Sequence, residues 1–295
     1  MASLRDIRQK IKSVTATQQI TNAMKMMSTA KLSRAIEAVN QSKTYINKLL
    51  ELSRNVKSRV KSFKHPALEE REVQHITTIV IGGERGLCAG FNQELHNFAL
   101  KQITKEGLEK QTLYVIGQKP IRFFQMKDIP IAKAFESLNI KEIGDELFAL
   151  SKELYEQFKD HKTDKVNIIS TSYVSSVNHP ITCQQLLPIP ENSVLLSEES
   201  EEVSDSKKIH MEYDFYPSPA GIFDQILPRY MYNSLLKAVL ESVAAEQCAR
   251  MVAMTSATDR ANEKLEELRL ELNRSRQAQI TQELNEVIAG SQTSN

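Results

Sequence analysis

Two stretches without glycine or proline, one at each end of the chain, limit what this sequence can fold into more than any other feature. The first runs from Ser3 to about Lys64 and meets a natural stop at His65-Pro66. The second runs from Arg229 to about Ala289. Ser3 and Asp6 stand in capping-box spacing, with Asp in place of the usual Glu or Gln. At 1.5 Å per residue each helix would be roughly 85–90 Å long, against about 11 residues for an ordinary globular helix. Apolar residues keep heptad spacing in pieces. On the first helix Ala16, Ile20, Ala23, Met27 and Ala30 alternate steps of four and three. Leu32, Ile36 and Val39 restart the pattern on a shifted face, as do Ile46 and Leu50. On the second, Met231, Leu235, Ala238, Ser242, Ala245, Ala249, Val252 and Ser256 form one run. Ala261, Leu265, Leu268 and Leu272 form another, then Ile280, Leu284 and Val287. This is coiled-coil spacing with an irregular register. Ala245, Ala249, Ala253, Ala257 and Ala261 recur every four residues and predict a seam where two backbones approach closely. Two helices of matched length at opposite ends of one chain pair most simply as an antiparallel coiled coil.

The chain between them changes character. His75–Gly82, Leu113–Gly117, Ile129–Phe135, Val166–Val174 and Ile181–Ile189 read as strands. Phe91–Gln102 reads as a helix with Asn92 as its cap. Pro120–Lys127 and Lys141–Phe158 read as further helices, the last amphipathic. Strands alternating with helices predict an α/β layer with a largely parallel sheet. Ser193–Ser206 is acidic and serine-rich and reads as an exposed loop. Gly221 follows the Pro-rich PSPAG stretch, and Ile222–Leu227 reads as a short helical turn that Pro228 ends or kinks. The expected fold is therefore mixed. A long antiparallel two-helix coiled coil from residues 1–64 and 221–295 accompanies a Rossmann-like α/β domain over 65–220.

Composition narrows the function classes. Hydrophobic residues at 41% and charged residues at 25% exclude a disordered chain. No run of about 18 apolar residues exists, so no membrane insertion is expected and any membrane link runs through a partner. Cys88, Cys183 and Cys248 are scattered and in no metal spacing, which points to a reducing compartment and no disulfide frame. Residues 1–64 hold fourteen Lys and Arg against three acids, a net of +11. Residues 221–295 carry −2 and residues 65–220 carry −8. A basic first segment calls for an acidic partner.

No catalytic constellation is present. The six histidines show no metal-ligand spacing, no serine sits in a nucleophile elbow, and Glu266-Glu267 reads as a solvated helix face. The loop Gly82–Asn92 lies between a strand and a helix, where a phosphate could be held. It matches neither G-x-x-x-x-G-K-[ST] nor G-x-G-x-x-G, so a structural turn is the favoured reading. Cys88 reads as a small buried thiol. Two alternatives stay open on the residues alone. One is a coiled-coil scaffold that binds nucleic acid through residues 1–64, with salt-sensitive affinity. The other is an α/β enzyme that dimerises through its long helices.

Three stretches, in order and spanning the chain, carry a resemblance. IRQKIKSVTATQQITNAMKMMSTAKL at 7–32, RGLCAGFN at 85–92 and NRSRQAQITQEL at 273–284 resemble signatures of the F-type ATP synthase gamma subunits. Between the last two, EQCARMVAM at 246–254 is similar to the family's AARMVAM stretch, which Cys248 breaks. Gly83-Glu84 stands where Ser-Asp is usual in that family, Ala89 where Gly is usual, and Asn22 at a commonly basic position. The chloroplast-type insertion with its regulatory cysteine pair is missing, so thiol regulation is not expected.

The resemblance implies a rotary central stalk without an active site, cofactor or metal of its own. The terminal helices would turn inside a ring of three alpha and three beta subunits, with the α/β domain against the epsilon subunit and the membrane c-ring. Nucleic acid would have no part. Ion flow would drive the shaft, whose faces force the beta sites through different nucleotide states, and the shaft would also regulate hydrolysis and proton flow. The expected location is peripheral, at the cytoplasmic face of a bacterial inner membrane. Met24, Lys25, Arg250, Gln277, Thr281 and Glu283 are the expected torque contacts. Arg85, Gly86, Leu87, Cys88, Gly90, Phe91 and Asn92 form the family's loop in the α/β domain.

Overall fold

Both terminal helices form, and both are continuous. The computed structural model describes residues 4–58, 66–69, 71–175, 178–189 and 219–293. The capping pair at Ser3, the helix end expected near Lys64 and the loop Ser193–Ser206 lie outside the described residues. Helix α1 spans Leu4–Ser58. Helix α5 spans Pro219–Thr293 and runs through Pro228 rather than stopping there. A proline inside a helix deprives the carbonyl four residues back of its donor. Here that loss falls beside Ile226, Leu227 and Met231, all buried, and tertiary packing outweighs the local penalty.

Contacts gather the chain into two compact units. One holds Met1–Ala30 with Ala249–Asn295; the other holds Lys31–Cys248. In the first unit α1 and α5 pair in antiparallel fashion. Thr258 Oγ1 donates to Thr21 Oγ1 at 2.8 Å, joining residues 237 apart in sequence. Each hydroxyl also faces a carbonyl of its own helix: Thr21 that of Gln18 at 3.0 Å, Thr258 that of Met254 at 2.8 Å. Two hydroxyl protons therefore serve one bond between helices and one bond back to a helix.

The phase of this pairing corrects the expected seam. On α1 the inward positions Ile7, Ile11, Val14, Gln18, Thr21, Lys25 and Ser28 are buried or half-buried. They alternate steps of four and three, and the same count continues through Leu32, Ala35, Val39, Ser42, Ile46 and Leu49, all buried. The register is thus regular. The expected stripe Ala16, Ile20, Ala23, Met27 and Ala30 is exposed instead, with Ile20 at 59%. It is the more apolar face of that stretch, yet only the face in phase with Ile7 and Leu32 joins one unbroken seam. On α5 the seam of this unit is Met254, Thr258, Ala261, Leu265 and Leu268. Val252, Ser256, Ile280, Leu284 and Val287, expected inside, are exposed. A four-residue repeat drifts around a helix of 3.6 residues per turn. Ala253 and Ala257 are accordingly half-buried flanks, and the small residue at the contact is Ala261.

The second unit contains the sheet. Strands β1 (Ile76–Ile81), β2 (Gln111–Ile116), β3 (Lys133–Phe135), β4 (Lys165–Thr171) and β5 (Ile181–Leu187) lie in the order β3-β2-β1-β4-β5. Four strands are parallel; β5 closes one edge antiparallel to β4. Helices α2 (Phe91–Glu106), α3 (Gln118–Met126) and α4 (Ile140–Lys159) connect them. The run ITTIVI of β1 is buried at every position, as a β-branched strand covered on both faces must be. Ile79 and Ile81 enter a core with Leu147, Leu154 and Phe158 of α4 and Met231, Leu235 and Val239 of α5. Val80 points the other way, to Leu95 and Ile103 of α2 and Phe124 of α3. Period-two alternation along one strand thus serves two cores.

Ala261→Leu overpacks the seam and is expected to cost about 1–3 kcal/mol, whereas Ala253→Leu, on the half-buried flank, costs less. Chemical unfolding followed through the helical signal compares the two. A larger loss at Ala253 than at Ala261 would return the close contact to the alanine stripe.

Candidate functional site

Two regions hold the residues singled out from sequence: the paired helices of the first unit, and the turn after β1 in the second. Met24 and Lys25 are half-buried on α1, just past the Thr21 contact. Arg250 on α5 is only 5% exposed and so is built into the chain itself. Gln277, Thr281 and Glu283 are exposed near the end of α5. Thr281 Oγ1 donates to the Gln277 carbonyl at 2.9 Å, and Gln279 Nε2 donates to Glu283 Oε1 at 2.9 Å. These six residues form no single site. Arg250 and Gln277 lie roughly 40 Å apart along α5, counting 1.5 Å per residue.

Sequence reasoning missed what surrounds them. Ile20, Met26 and Met27 on α1, with Val252, Leu270, Ile280, Leu284 and Val287 on α5, are each more than half exposed. The seam meanwhile takes in Gln18, Thr21, Lys25, Ser28 and Thr258. A helix pair that puts polar side chains inside and aliphatic ones outside offers its outer surface for burial by something else. The signal that marks this face is in the sequence: a single heptad count carried unbroken from Ile7 to Leu49 puts Ile20 and Met27 outside.

The turn after β1 stands at the carboxyl ends of the strands, where the order reverses between β1 and β4. In doubly wound sheets this crevice is where ligands bind. Here acidic side chains line it. Glu246 of α5 accepts the Glu84 backbone N–H through Oε2 at 3.2 Å. Glu84 Oε1 accepts the Leu138 N–H at 2.5 Å, ahead of α4. A Cβ on Gly90 would lie 2.8 Å from Glu94 Oε1, so that carboxylate folds over the amino end of α2. Three carboxylates around a helix start oppose a phosphate there.

The family-loop residues mostly build the turn. Asn92, expected as a cap, sits within α2, and Gly90 holds the N-cap position without a side-chain bond. Asn92 Nδ2 instead donates to the Arg85 carbonyl at 3.1 Å and to Cys88 Sγ at 3.0 Å. Cys88 is 2% exposed and Phe91 is buried. Arg85 and Leu87 are exposed and Gly86 is half-exposed. Leu87 and Ala89 adopt φ of 61° and 50°, the left-handed region that a side chain disfavours. Gly117, after β2, has φ of 107°, and a Cβ there would lie 2.6 Å from the Gly82 carbonyl oxygen, so the two turns cross where only glycine fits. On α2, His96 stacks on Phe123 of α3 with centroids 4.5 Å apart. Burial, with the Lys119 ammonium adding to it, pushes its pKa down to about 4, so the ring is neutral near pH 7.

The same architecture occurs among known proteins. A family model described as ATP synthase matches residues 3–293. An ATP synthase gamma chain from Heliobacterium modesticaldum is 36% identical over 297 residues, covering 98% of each chain. One from Histophilus somni is 33% identical, covering 98% of this chain and 99% of its own. Among solved structures, a chain of the Euglena gracilis mitochondrial ATP synthase OSCP/F1/c-ring aligns with a TM-score of 0.61 at 15% identity. It covers 99% of this chain and 94% of that one. A chain of the rotor of the same enzyme aligns with a TM-score of 0.59 at 15% identity, covering 94% and 98%. At such identities the solved structures speak to the fold.

Ala89→Gly removes a left-handed penalty of about 1–2 kcal/mol and adds back about 0.5–1 kcal/mol of chain entropy. A small net stabilisation is expected in chemical unfolding. Clear destabilisation would mean that the Ala89 methyl makes a contact worth more than the strain.

Proposed function

The chain belongs to the ATP synthase gamma chain family, and from that premise we infer that it is the rotating central-stalk subunit of an F-type ATP synthase. Its partners are the alpha and beta subunits, three of each, the epsilon subunit and the membrane c-ring. Residues 1–64 and 221–295 serve as the shaft and residues 65–220 as the domain that faces the rotor ring. The observation that carries this reading is the inverted helix pair of the first unit, with Thr21 and Thr258 inside and Ile20, Met27 and Val252 outside. A sleeve of surrounding subunits buries that apolar surface while leaving it free to turn, because apolar contact is non-directional. The Lys and Arg excess of residues 1–64 suits acidic loops on such a sleeve.

Catalysis belongs to the assembly and not to this subunit. The sequence has no phosphate loop with Lys-Ser or Lys-Thr. The crevice after β1, the place a doubly wound sheet would hold a nucleotide, receives the Glu246 carboxylate. Among the described residues no helix is long and apolar enough to cross a membrane. Attachment is therefore through partners, at the cytoplasmic face of a bacterial inner membrane, in keeping with the bacterial sources of the similar gamma chains. By turning, the shaft also sets ATP hydrolysis and proton flow in step.

Torque passes at Met24, Lys25, Arg250, Gln277, Thr281 and Glu283. Gln277 and Thr281 make the sharpest test, since both are exposed and the Thr281 hydroxyl is bonded to its own helix. Exposed helix positions of this kind change stability little when substituted. Gln277→Ala with Thr281→Ala is expected to lower ATP synthesis severalfold in complexes of normal subunit composition. Unchanged synthesis in such complexes would remove both residues from the torque contact.

A further inference from the structure

We propose that Glu246 is a latch that makes the stretch of α5 beside it turn together with the α/β sheet, its carboxylate filling the crevice where a doubly wound fold ordinarily binds a ligand. The proposal rests on the rotary function and names a positioning residue within it. Glu246 is 3% exposed, deep for a carboxylate on a helix. Its Oε2 accepts the Glu84 N–H, a hydrogen bond strengthened by the charge of the acceptor.

The peptide it holds is a junction. The Gly83 carbonyl accepts the Lys119 N–H at 3.0 Å, at the start of α3. The Glu84 side chain holds the Leu138 N–H ahead of α4. One peptide after β1 is thereby tied to α3, to the approach of α4 and to α5. A side chain at Gly83 would push the Asn92 and Glu246 side-chain ends from where they sit. A Cβ there would lie 2.6 Å from Asn92 Oδ1 and 3.1 Å from Glu246 Oε2. The glycine at this position, and the long Glu84 beside it, thus act together.

Elsewhere α5 meets the α/β unit through a directional bond near its start, where the Tyr155 hydroxyl of α4 donates to Asp224 Oδ1 at 2.5 Å, and through apolar packing between that bond and Glu246. Leu227, Met231, Leu235, Ala238 and Val239 pack in an aliphatic core. Such contacts are strong but non-directional, so they resist separation better than they resist rolling of the helix about its own axis. Glu246 lies roughly 10 Å further along α5 than Val239. There it adds a bond of fixed direction at the end of the apolar contact.

The test uses assembled ATP synthase in sealed vesicles carrying Glu246→Leu, Glu246→Gln or Gly83→Ala. Two quantities are read per assembled complex: hydrogen exchange of the Glu84 amide, and protons pumped per ATP hydrolysed. Glu246→Leu and Gly83→Ala are expected to speed the exchange about tenfold or more and to lower the pumping ratio about threefold. Glu246→Gln, which keeps an acceptor oxygen, should stay near wild type in both. A wild-type pumping ratio in assembled Glu246→Leu complexes overturns the latch, as does an equal loss in Glu246→Gln. If Glu246→Leu fails to assemble, Gly83→Ala decides by the same ratio. Amide exchange reads the latch without turnover, whereas wild-type vesicles that hydrolyse ATP and pump no protons would instead refute the rotary function.

Discussion

The bond between Thr21 and Thr258 marks the constraint on which the rest of the molecule depends: two helices from opposite ends of the chain share one seam. No local signal brings residues 237 apart together. The pairing follows from the phase of each helix. On α1 the count from Ile7 to Leu49 never breaks step, so aliphatic seam residues at either end commit the polar middle to the same face. That commitment leaves Ile20, Met26 and Met27 outside. The hydroxyl pair suits this role, since one threonine donates to the other and the acceptor turns its own proton to a carbonyl of its helix, so neither hydroxyl is left orphaned.

The α/β unit uses a familiar sheet in a different way. Its order and parallel strands create a crevice at the end of β1. In this chain Glu246, Glu84 and Glu94 make the crevice acidic, and α5 supplies one of the three. Gly82, Gly83 and Gly117 let two turns and a helix carboxylate meet within one small volume. The glycines that resemble a nucleotide loop in sequence thus serve close approach between parts of the same chain. A fold suited to binding a ligand here receives a carboxylate of its own chain instead.

Much of the fold was legible in the sequence. The five strands and three connecting helices of the α/β unit lie within a few residues of where period and punctuation placed them. Glu266 and Glu267 are solvated, as their pairing on a helix implied. The failures share a cause, which is tertiary context overriding a local rule. Over residues 16–30 the more apolar stripe lost to the less apolar one that continued the neighbouring seams. Pro228 did not end α5, because buried residues flank it on both sides. Glu246 gave no sign of burial, since a glutamate on a long helix ordinarily faces water. The residues proposed as torque contacts came from resemblance rather than from periodicity, and Arg250 among them is buried within the chain.

The cysteines offer a direct test of rotation. Cys183 on β5 is exposed, while Cys88 and Cys248 are buried, so a thiol-reactive probe attaches at one defined point of the α/β unit. With the alpha and beta subunits fixed to a surface, ATP is added and the orientation of a probe on Cys183 is followed in single complexes. The account predicts rotation in one direction with three pauses per turn, one for each beta site. A probe that stays fixed while the complex hydrolyses ATP would contradict it.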